Sequence, residues 1–283
     1  MYSIEFLTIA HVGWRIAAND SGRWTAMIEA RRDPMAEADP YLLFGLLGKR
    51  VIHPGGRRAT EELLSLAALA PGQEVLDIGC GAGTTAIEMA TRFGVTVTAA
   101  DISPDMTDRA TANGRRAGVA HRLSVENADI CALPYEDGRF DRVVAEAVTM
   151  FVDRDRAITE LVRVCRPGGL VLATEFQWRR PPTPEARHAF LGEVCPGMLF
   201  DTVDDWLARY GAAGLVDLQM KTGPFEMMTP RGFISDEGVG NAVRVMARAM
   251  TSGTARRRML WLMPRISRAV PYLGYVLICG RRP

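Results

Sequence analysis

From Pro71 onward, short apolar runs alternate with amphipathic stretches, and the alternation predicts a strand, then a helix, then a strand, several times over. Residues 74–78, 95–100, 121–127, 140–145 and 170–176 read as five successive strands. Between them, 84–93 reads as a helix, Ser103-Pro104 opens another with a cap and a first-turn proline, and 154–165 forms a third. Arg166-Pro167-Gly168-Gly169 stops that last helix. A helix over 202–213, a strand over 215–221 and a final strand over 272–280 complete the series. Such a pattern belongs to βαβ units and a parallel sheet.

Three segments stand outside this rhythm. Residues 1–60 read as mostly helical, with Phe6, Leu7, Ile9, Ala10, Trp14 and Ala17 on one apolar face and Asp33-Pro34 and Asp39-Pro40 as punctuation. Residues 177–200 and 222–271 are too long for plain loops, and the second contains helical patterns over 239–250 and 255–263. Both read as cover for a substrate.

Length and composition bound the answer without choosing a chemistry. A chain of 283 residues, 48% hydrophobic and 24% charged, can bury a full core. The net charge of +1 gives no overall field for nucleic acid or an anionic membrane. Lysine occurs only at positions 49 and 221, so nearly all of the 34 basic residues are arginine, which suggests a GC-rich bacterial genome. Five cysteines, an odd number with no C-x-x-C pair, fit neither a disulfide framework nor a zinc site, and point to a reducing cytoplasm. Residues 1–19 contain Glu5, His11 and Arg15 and no run long enough to span a bilayer, so a soluble, cytoplasmic protein is expected.

The candidate chemistry is concentrated after the first strand. Glu74-Val75-Leu76-Asp77-Ile78-Gly79-Cys80-Gly81-Ala82-Gly83-Thr84 is a buried strand, a tight turn with glycine at every second position, and a helix start. Glycine lets a backbone approach a ligand that a Cβ would block, and open α/β sheets bind ligands at strand carboxyl ends. The spacing G-x-G-x-G lacks the third glycine of the dinucleotide fingerprint G-x-G-x-x-G. Asp77 would repel a pyrophosphate and suit a cation. Asp101 ends the next apolar run, 22 residues beyond Gly79, where it can accept hydrogen bonds from ribose hydroxyls. A glycine-rich turn with no ligand leaves acids at both strand ends unexplained.

This segment resembles motif I of the class I S-adenosylmethionine-dependent methyltransferases, and Asp101 resembles their ribose-binding acid. The resemblance covers roughly residues 50–222 and the final strand. It implies a Rossmann-like doubly wound α/β sheet of order 3-2-1-4-5-7-6, last strand antiparallel, plus a helical cap. It divides the chain into an N-terminal helical cap segment (1–60), a cofactor-binding core (61–222 and 272–283) and a helical substrate-cap insertion (223–271). S-adenosyl-L-methionine is the implied cofactor. Gly79, Cys80, Gly81, Ala82 and Gly83 would bring backbone to its methionyl and ribose parts, with Asp77 near the amino group. Asp101 would take both ribose hydroxyls. Ile102 and Met106 would pack on the adenine, with Asp129 and the Ile130 amide at its edge. Ala145, Glu146 and Ala147 would line the methionyl side, closed by Phe151. Tyr41, His53 and Gly55-Gly56 are pocket candidates by the same resemblance.

Methyl transfer to oxygen needs a base near its operating pH, whereas nitrogen or a thiolate needs little. His53, Glu146 and Glu175 are the candidate bases, and Trp178 would lie over the acceptor, a hydrophobic or amphipathic small molecule. Each candidate has a plainer explanation: a histidine beside a turn is often solvated, Met106 fits a core face, and Asp129 fits a cap. Rival classes lack their signatures. Neither lysine has a tyrosine four positions earlier, as short-chain reductases require, and Gly48-Lys49-Arg50 is not a P-loop. Arg256-Arg257-Arg258 reads as a solvated face, not as a nucleic-acid patch. A cyclopropane-forming enzyme or a non-catalytic cofactor-binding regulator would share the fold.

Overall fold

The computed structural model describes residues 35–283 throughout and, before them, only the backbone of β1 (Leu7–Ile9), β2 (Trp14–Ala18) and β3 (Trp24–Ala26). These three strands pair antiparallel in the order β1-β2-β3. The helical expectation for this stretch is therefore corrected. Thr8, Ile9, Trp14, Ile16, Trp24 and Thr25 are β-branched or aromatic types that favour a pleated surface. Phe6 and Ala10 of the expected apolar face lie outside the described residues.

Helices α1 (Pro40–Leu47) and α2 (Gly56–Ala67) precede the main sheet. The core then runs β4 (Glu74–Ile78), α3 (Thr84–Phe93), β5 (Thr96–Asp101), α4 (Pro104–Arg116), β6 (Leu123–Asn127), β7 (Phe140–Glu146), α5 (Arg154–Val164) and β8 (Cys165–Trp178). It continues through α6 (Pro184–Arg187), a π-helical turn His188–Val194, α7 (Val203–Ala212), β9 (Val216–Pro224), α8 (Pro230–Thr251), α9 (Gly253–Ala269) and β10 (Leu273–Arg281). The sheet order is β6-β5-β4-β7-β8-β10-β9, the expected 3-2-1-4-5-7-6, with β10 antiparallel to both neighbours.

Neighbouring residues on each central strand feed opposite faces, as a period of two requires. Leu76, Val143, Val171 and Val276 enter one buried cluster with α5, α7, α8 and α9, whereas Val75, Val144, Leu172 and Leu277 enter the other with α2 and α3. Burial on both faces is why these strands read as continuous apolar runs. Trp206 of α7 is fully buried and its indole N–H donates to the Phe176 carbonyl at 2.9 Å, so the largest side chain in the core leaves no unpaired donor.

Two boundaries differ from expectation for local reasons. Helix α8 begins at Pro230 rather than near 239, capped by the Thr229 hydroxyl, and breaks at Gly238 (φ 70°, ψ 157°), which the sequence pattern takes for a start. Strand β8 runs past 176 to Trp178 because β10 pairs with it as far as Leu273↔Trp178. No helix among the described residues is long and apolar enough to cross a membrane.

Candidate functional site

The turn after β4 holds Gly79, Gly81 and Gly83 at φ of 73°, 52° and 78°, the left-handed region that glycine enters without penalty. Their roles differ. A Cβ on Gly79 would collide with Val148, and one on Gly83 would press on Ala110 at 3.0 Å, so both permit close packing. A Cβ on Gly81 would meet nothing within 4 Å. Gly81, like Gly79, lines a cavity of about 590 Å³ at the carboxyl ends of β4, β5 and β7.

Carboxylates organise the walls. Asp101 accepts from the Gly81 and Ser103 amides, both at 2.9 Å, and so ties the β4 turn to the β5 turn. Asp77 is buried, with Oδ2 unpartnered. Burial, with Glu146 and Asp101 adding repulsion, pushes it up to about 8, against a smaller downward pull from the Ala86 backbone. Cys80 lines the cavity too, but burial raises its thiol and removes it as a nucleophile.

Glu146 ends β7 and accepts from two hydroxyls, Thr85 Oγ1 at 2.6 Å and Thr60 Oγ1 at 2.9 Å. Thr60 Oγ1 also lies 3.0 Å from His53 Nε2, which is 3.5 Å from Glu146 Oε2. A hydroxyl has one proton and a carboxylate only accepts. Thr60 therefore gives its proton to Glu146, and His53 Nε2 must carry the hydrogen that Thr60 accepts. In the neutral imidazole that assignment leaves Nδ1 without a hydrogen, and Nδ1 is buried and without a partner. After Glu146, Ala147 sits at φ 60°, a strained position for a residue with a Cβ, held by its amide on the Thr174 carbonyl at 2.7 Å.

Most of the expected residues share this cavity: Tyr41 and His53, Asp77 and the backbone of Gly79, Cys80, Gly81 and Ala82, then Asp101, Ile102, Met106, Asp129, Ile130, Glu146 and Phe151. Tyr41 meets Phe151 edge-on at 5.3 Å, and its buried hydroxyl is unpartnered. Asp129 Oδ1 accepts from the Cys131 amide at 2.8 Å, so part of its capacity goes to its own turn.

Six candidates lie elsewhere. Gly55 and Gly56 do not line the cavity: a Cβ on Gly55 would meet Ala59 and Tyr275, and one on Gly56 would meet Asp236. Gly83 is the residue before α3, behind the turn, and Ala145 is buried in the sheet core. Glu175 shares a face of β8 with Val171 and Ala173, so its carboxyl points under α7, where Thr149 donates at 2.5 Å and Tyr210 at 3.0 Å. Burial raises it to about 8, with those two hydrogen bonds pulling the other way. Trp178 stacks on Phe200 at 4.7 Å within an aromatic cluster that includes Phe176 and Phe190. Trp178, at the end of the extended β8, is not among the residues that line the cavity.

Reading the sequence missed Thr60 and Thr85, which orient Glu146; a threonine on an amphipathic helix gives no signal of a partner more than 60 positions away. It also missed Arg50, Ile52 and Arg57 in the cavity wall. Their segment is fixed from a distance. Lys49 Nζ, fully buried, lies 3.3 Å from Asp236 and 3.5 Å from Glu237 of α8. Glu237 Oε1 also accepts from the Arg50 and Val51 amides at 2.9 and 3.1 Å, and Asp236 Oδ1 from the Arg57 amide at 2.9 Å. Burial alone would raise Glu237, but those amides and Lys49 outweigh it and hold the carboxyl below its ordinary value. Among the described residues no group of three or more histidines, cysteines and acids is placed to hold a metal ion.

A family model described as "Methyltransferase domain" matches residues 75–169. The chain is 34% identical over 235 residues to the 27-O-demethylrifamycin SV methyltransferase of Amycolatopsis mediterranei, covering 80% of this chain and 83% of that protein. Among solved structures, a SAM-dependent methyltransferase from Geobacter sulfurreducens in complex with S-adenosylhomocysteine superposes with a TM-score of 0.65 at 23% identity, covering 87% of this chain and 99% of the other. The [4+2]-cyclase SpnF superposes equally well, TM-score 0.65 at 24% identity, covering 85% and 92%.

Proposed function

Because the chain belongs to the class I S-adenosylmethionine-dependent methyltransferases, we propose that it methylates a hydroxyl group of a hydrophobic or amphipathic small molecule, with His53 as the base. The observation that carries the choice of oxygen is the buried, unpartnered Nδ1 of His53. In the neutral imidazole Thr60 and Glu146 place the ring hydrogen on Nε2, and the unpaired Nδ1 then calls for a hydrogen-bond donor that an alcohol or phenol supplies.

The residues of the cavity fit the cofactor. The unpartnered Oδ2 of Asp77 suits the ammonium of the methionyl part, and that charge match would bring Asp77 down from about 8. Asp101, already oriented by two amides, would accept from the ribose hydroxyls. The Gly79–Ala82 backbone would follow the methionyl and ribose parts, with the open side of Gly81 leaving room. Ile102, Met106, Asp129 and the Ile130 amide would frame the adenine. S-adenosylmethionine supplies the methyl group, whose bond to the sulfonium breaks as a bond to the acceptor oxygen forms, leaving S-adenosylhomocysteine. His53 Nδ1 takes the hydroxyl proton, and Glu146, linked through Thr60, favours the imidazolium so formed. Tyr41 and Phe151 keep water from the reacting oxygen. In this reading 61–222 and 272–283 form the cofactor-binding core, and 223–271 forms the substrate cap.

The test is a turnover screen over alcohols, phenols, amines and thiols, read as S-adenosylhomocysteine release. A hydroxyl acceptor should be selected, and His53→Ala should lower kcat by about 100–10,000-fold with S-adenosylhomocysteine affinity nearly unchanged. An amine or thiol acceptor turned over equally well by His53→Ala would overturn the reading. Conversion of a substrate without S-adenosylhomocysteine release would instead favour chemistry of the kind named for SpnF.

A further inference from the structure

The near-neutral total charge conceals a strong asymmetry. Residues 238–283 contain nine arginines and no aspartate or glutamate, so the other 25 basic residues face all 33 acids. Seven of the nine fall on α8 and α9, the cap hairpin.

Helix α8 is also apolar on two sides. Its inner side buries Ala242, Val245 and Ala249 against the core. Its outer side exposes Val239 (68%), Val243 (63%), Met246 (45%) and Met250 (58%), four residues at successive helical steps, and Leu260 on α9 is exposed by 71%. Isolated exposed apolar side chains are ordinary. A continuous stripe of them on an otherwise charged hairpin marks a surface that meets something. Arg244, Arg256, Arg257 and Arg268 are exposed on the same two helices, and Arg256 and Arg257 form no ion pair among the described residues.

We propose that the α8–α9 hairpin docks on an anionic lipid surface, its Val–Met–Leu stripe entering the outer hydrocarbon and its arginines pairing with lipid phosphates. Charge complementarity selects this occupant. A second copy of the chain would bring the same stripe against itself, arginine facing arginine with no acid in the segment to answer. A nucleic acid would satisfy the arginines but leave the stripe in water. A protein interface is anchored by aromatic side chains in shaped pockets, and the exposed stripe has no aromatic residue. Lipid demands no such shape: apolar side chains enter, and guanidinium groups stay at headgroup level on their alkyl stems. Helix α8 also fixes the cavity wall through Asp236 and Glu237, so a docked cap would hold that wall beside the bilayer, where an amphipathic acceptor partitions.

The experiment is sedimentation of the full chain with vesicles of phosphatidylcholine alone and of phosphatidylcholine with phosphatidylglycerol. Binding should require phosphatidylglycerol and weaken as salt rises. Met246→Gln with Met250→Gln should weaken partitioning about tenfold or more, and Arg256→Gln with Arg257→Gln about thirtyfold. Both double variants should keep S-adenosylhomocysteine affinity, which shows that they fold and separates this result from the fate of the proposed reaction. Failure to bind anionic vesicles at low salt would overturn the proposal, as would equal binding to neutral ones. A dimer in analytical ultracentrifugation that Met246→Gln with Met250→Gln dissolves would overturn it in favour of a second copy.

Discussion

Two regions build the cavity by different physics. The floor, from the β4 turn to the end of β7, is shaped by main chain: three left-handed glycines and Asp101 spanning two turns through backbone amides. The wall from Lys49 to Arg57 is shaped by side chains that reach it from up to 187 positions away, on α8. A floor made of backbone depends on residues next to one another and is stiff. A wall held by buried charge is only as secure as its weakest partner.

Removing that partner should give the largest effect. Lys49→Ala leaves Asp236 buried without its cation and Glu237 with only the Arg50 guanidinium, 3.2 Å from its Oε2, and breaking a buried pair in this way costs about 3–5 kcal/mol. Denaturant unfolding should show the loss, and hydrogen exchange should place the first opening at 48–57 and the first half of α8. An unchanged midpoint would mean that the amides of Arg50, Val51 and Arg57 suffice to hold the two acids.

The floor responds according to which glycine is changed. Gly79→Ala adds a collision with Val148 to the left-handed backbone, and overpacking plus that strain amounts to roughly 3 kcal/mol. Gly81→Ala meets nothing within 4 Å, so only the backbone term of about 1–2 kcal/mol remains. If Gly81 faces the cofactor, its smaller stability loss should come with the greater loss of S-adenosylhomocysteine affinity among the molecules that stay folded. The reverse order in calorimetry would place the ligand on the Gly79 side.

The same contrast decides what could be read in the sequence. Gly79, Gly81 and Gly83 announce a turn because few other residues tolerate it, and the apolar runs at 74–78 and 140–145 announce strands because both faces are buried. Sheet order came from the family resemblance and not from those signals. Lys49 with Asp236 carries no such mark, since neither residue has a local pattern that requires the other. Glu175 and Trp178 were misplaced for a related reason: the carboxyl end of a strand shows where a site lies but not which residues on that strand face it. The backbone strain at Ala147 is invisible for the opposite reason, because alanine at φ 60° reads as an ordinary helix or core residue. The strands β1 to β3 were missed because runs of three to five residues are too short for period two to outweigh a helical spacing.

Protonation sharpens the comparison further, with opposite signs in the two regions. Asp77 and Glu175, in the floor and under α7, are raised to about 8. Between the ordinary carboxyl range near pH 4 and pH 8, the unfolded chain has released these protons while the folded chain keeps them. Stability therefore falls as pH rises through that window, by up to about 1.4 kcal/mol per pH unit for each group, and levels off above it. Glu237, held below its ordinary value, works the other way: its contribution is present above pH 4 to 5 and is lost as pH falls through its folded value. Glu175→Gln isolates one share of the first effect. The amide oxygen can still accept from Thr149 and Tyr210, and the group no longer ionises. Melts at pH 6 and pH 8 should show a smaller drop for the variant than for the parent chain, with the variant the more stable of the two at pH 8. Identical drops would mean that Glu175 ionises inside the fold without cost, and would leave Asp77 as the source of any slope. Saturating S-adenosylhomocysteine then separates the two acids, because an ammonium beside Asp77 should flatten its part of the slope and leave that of Glu175 untouched.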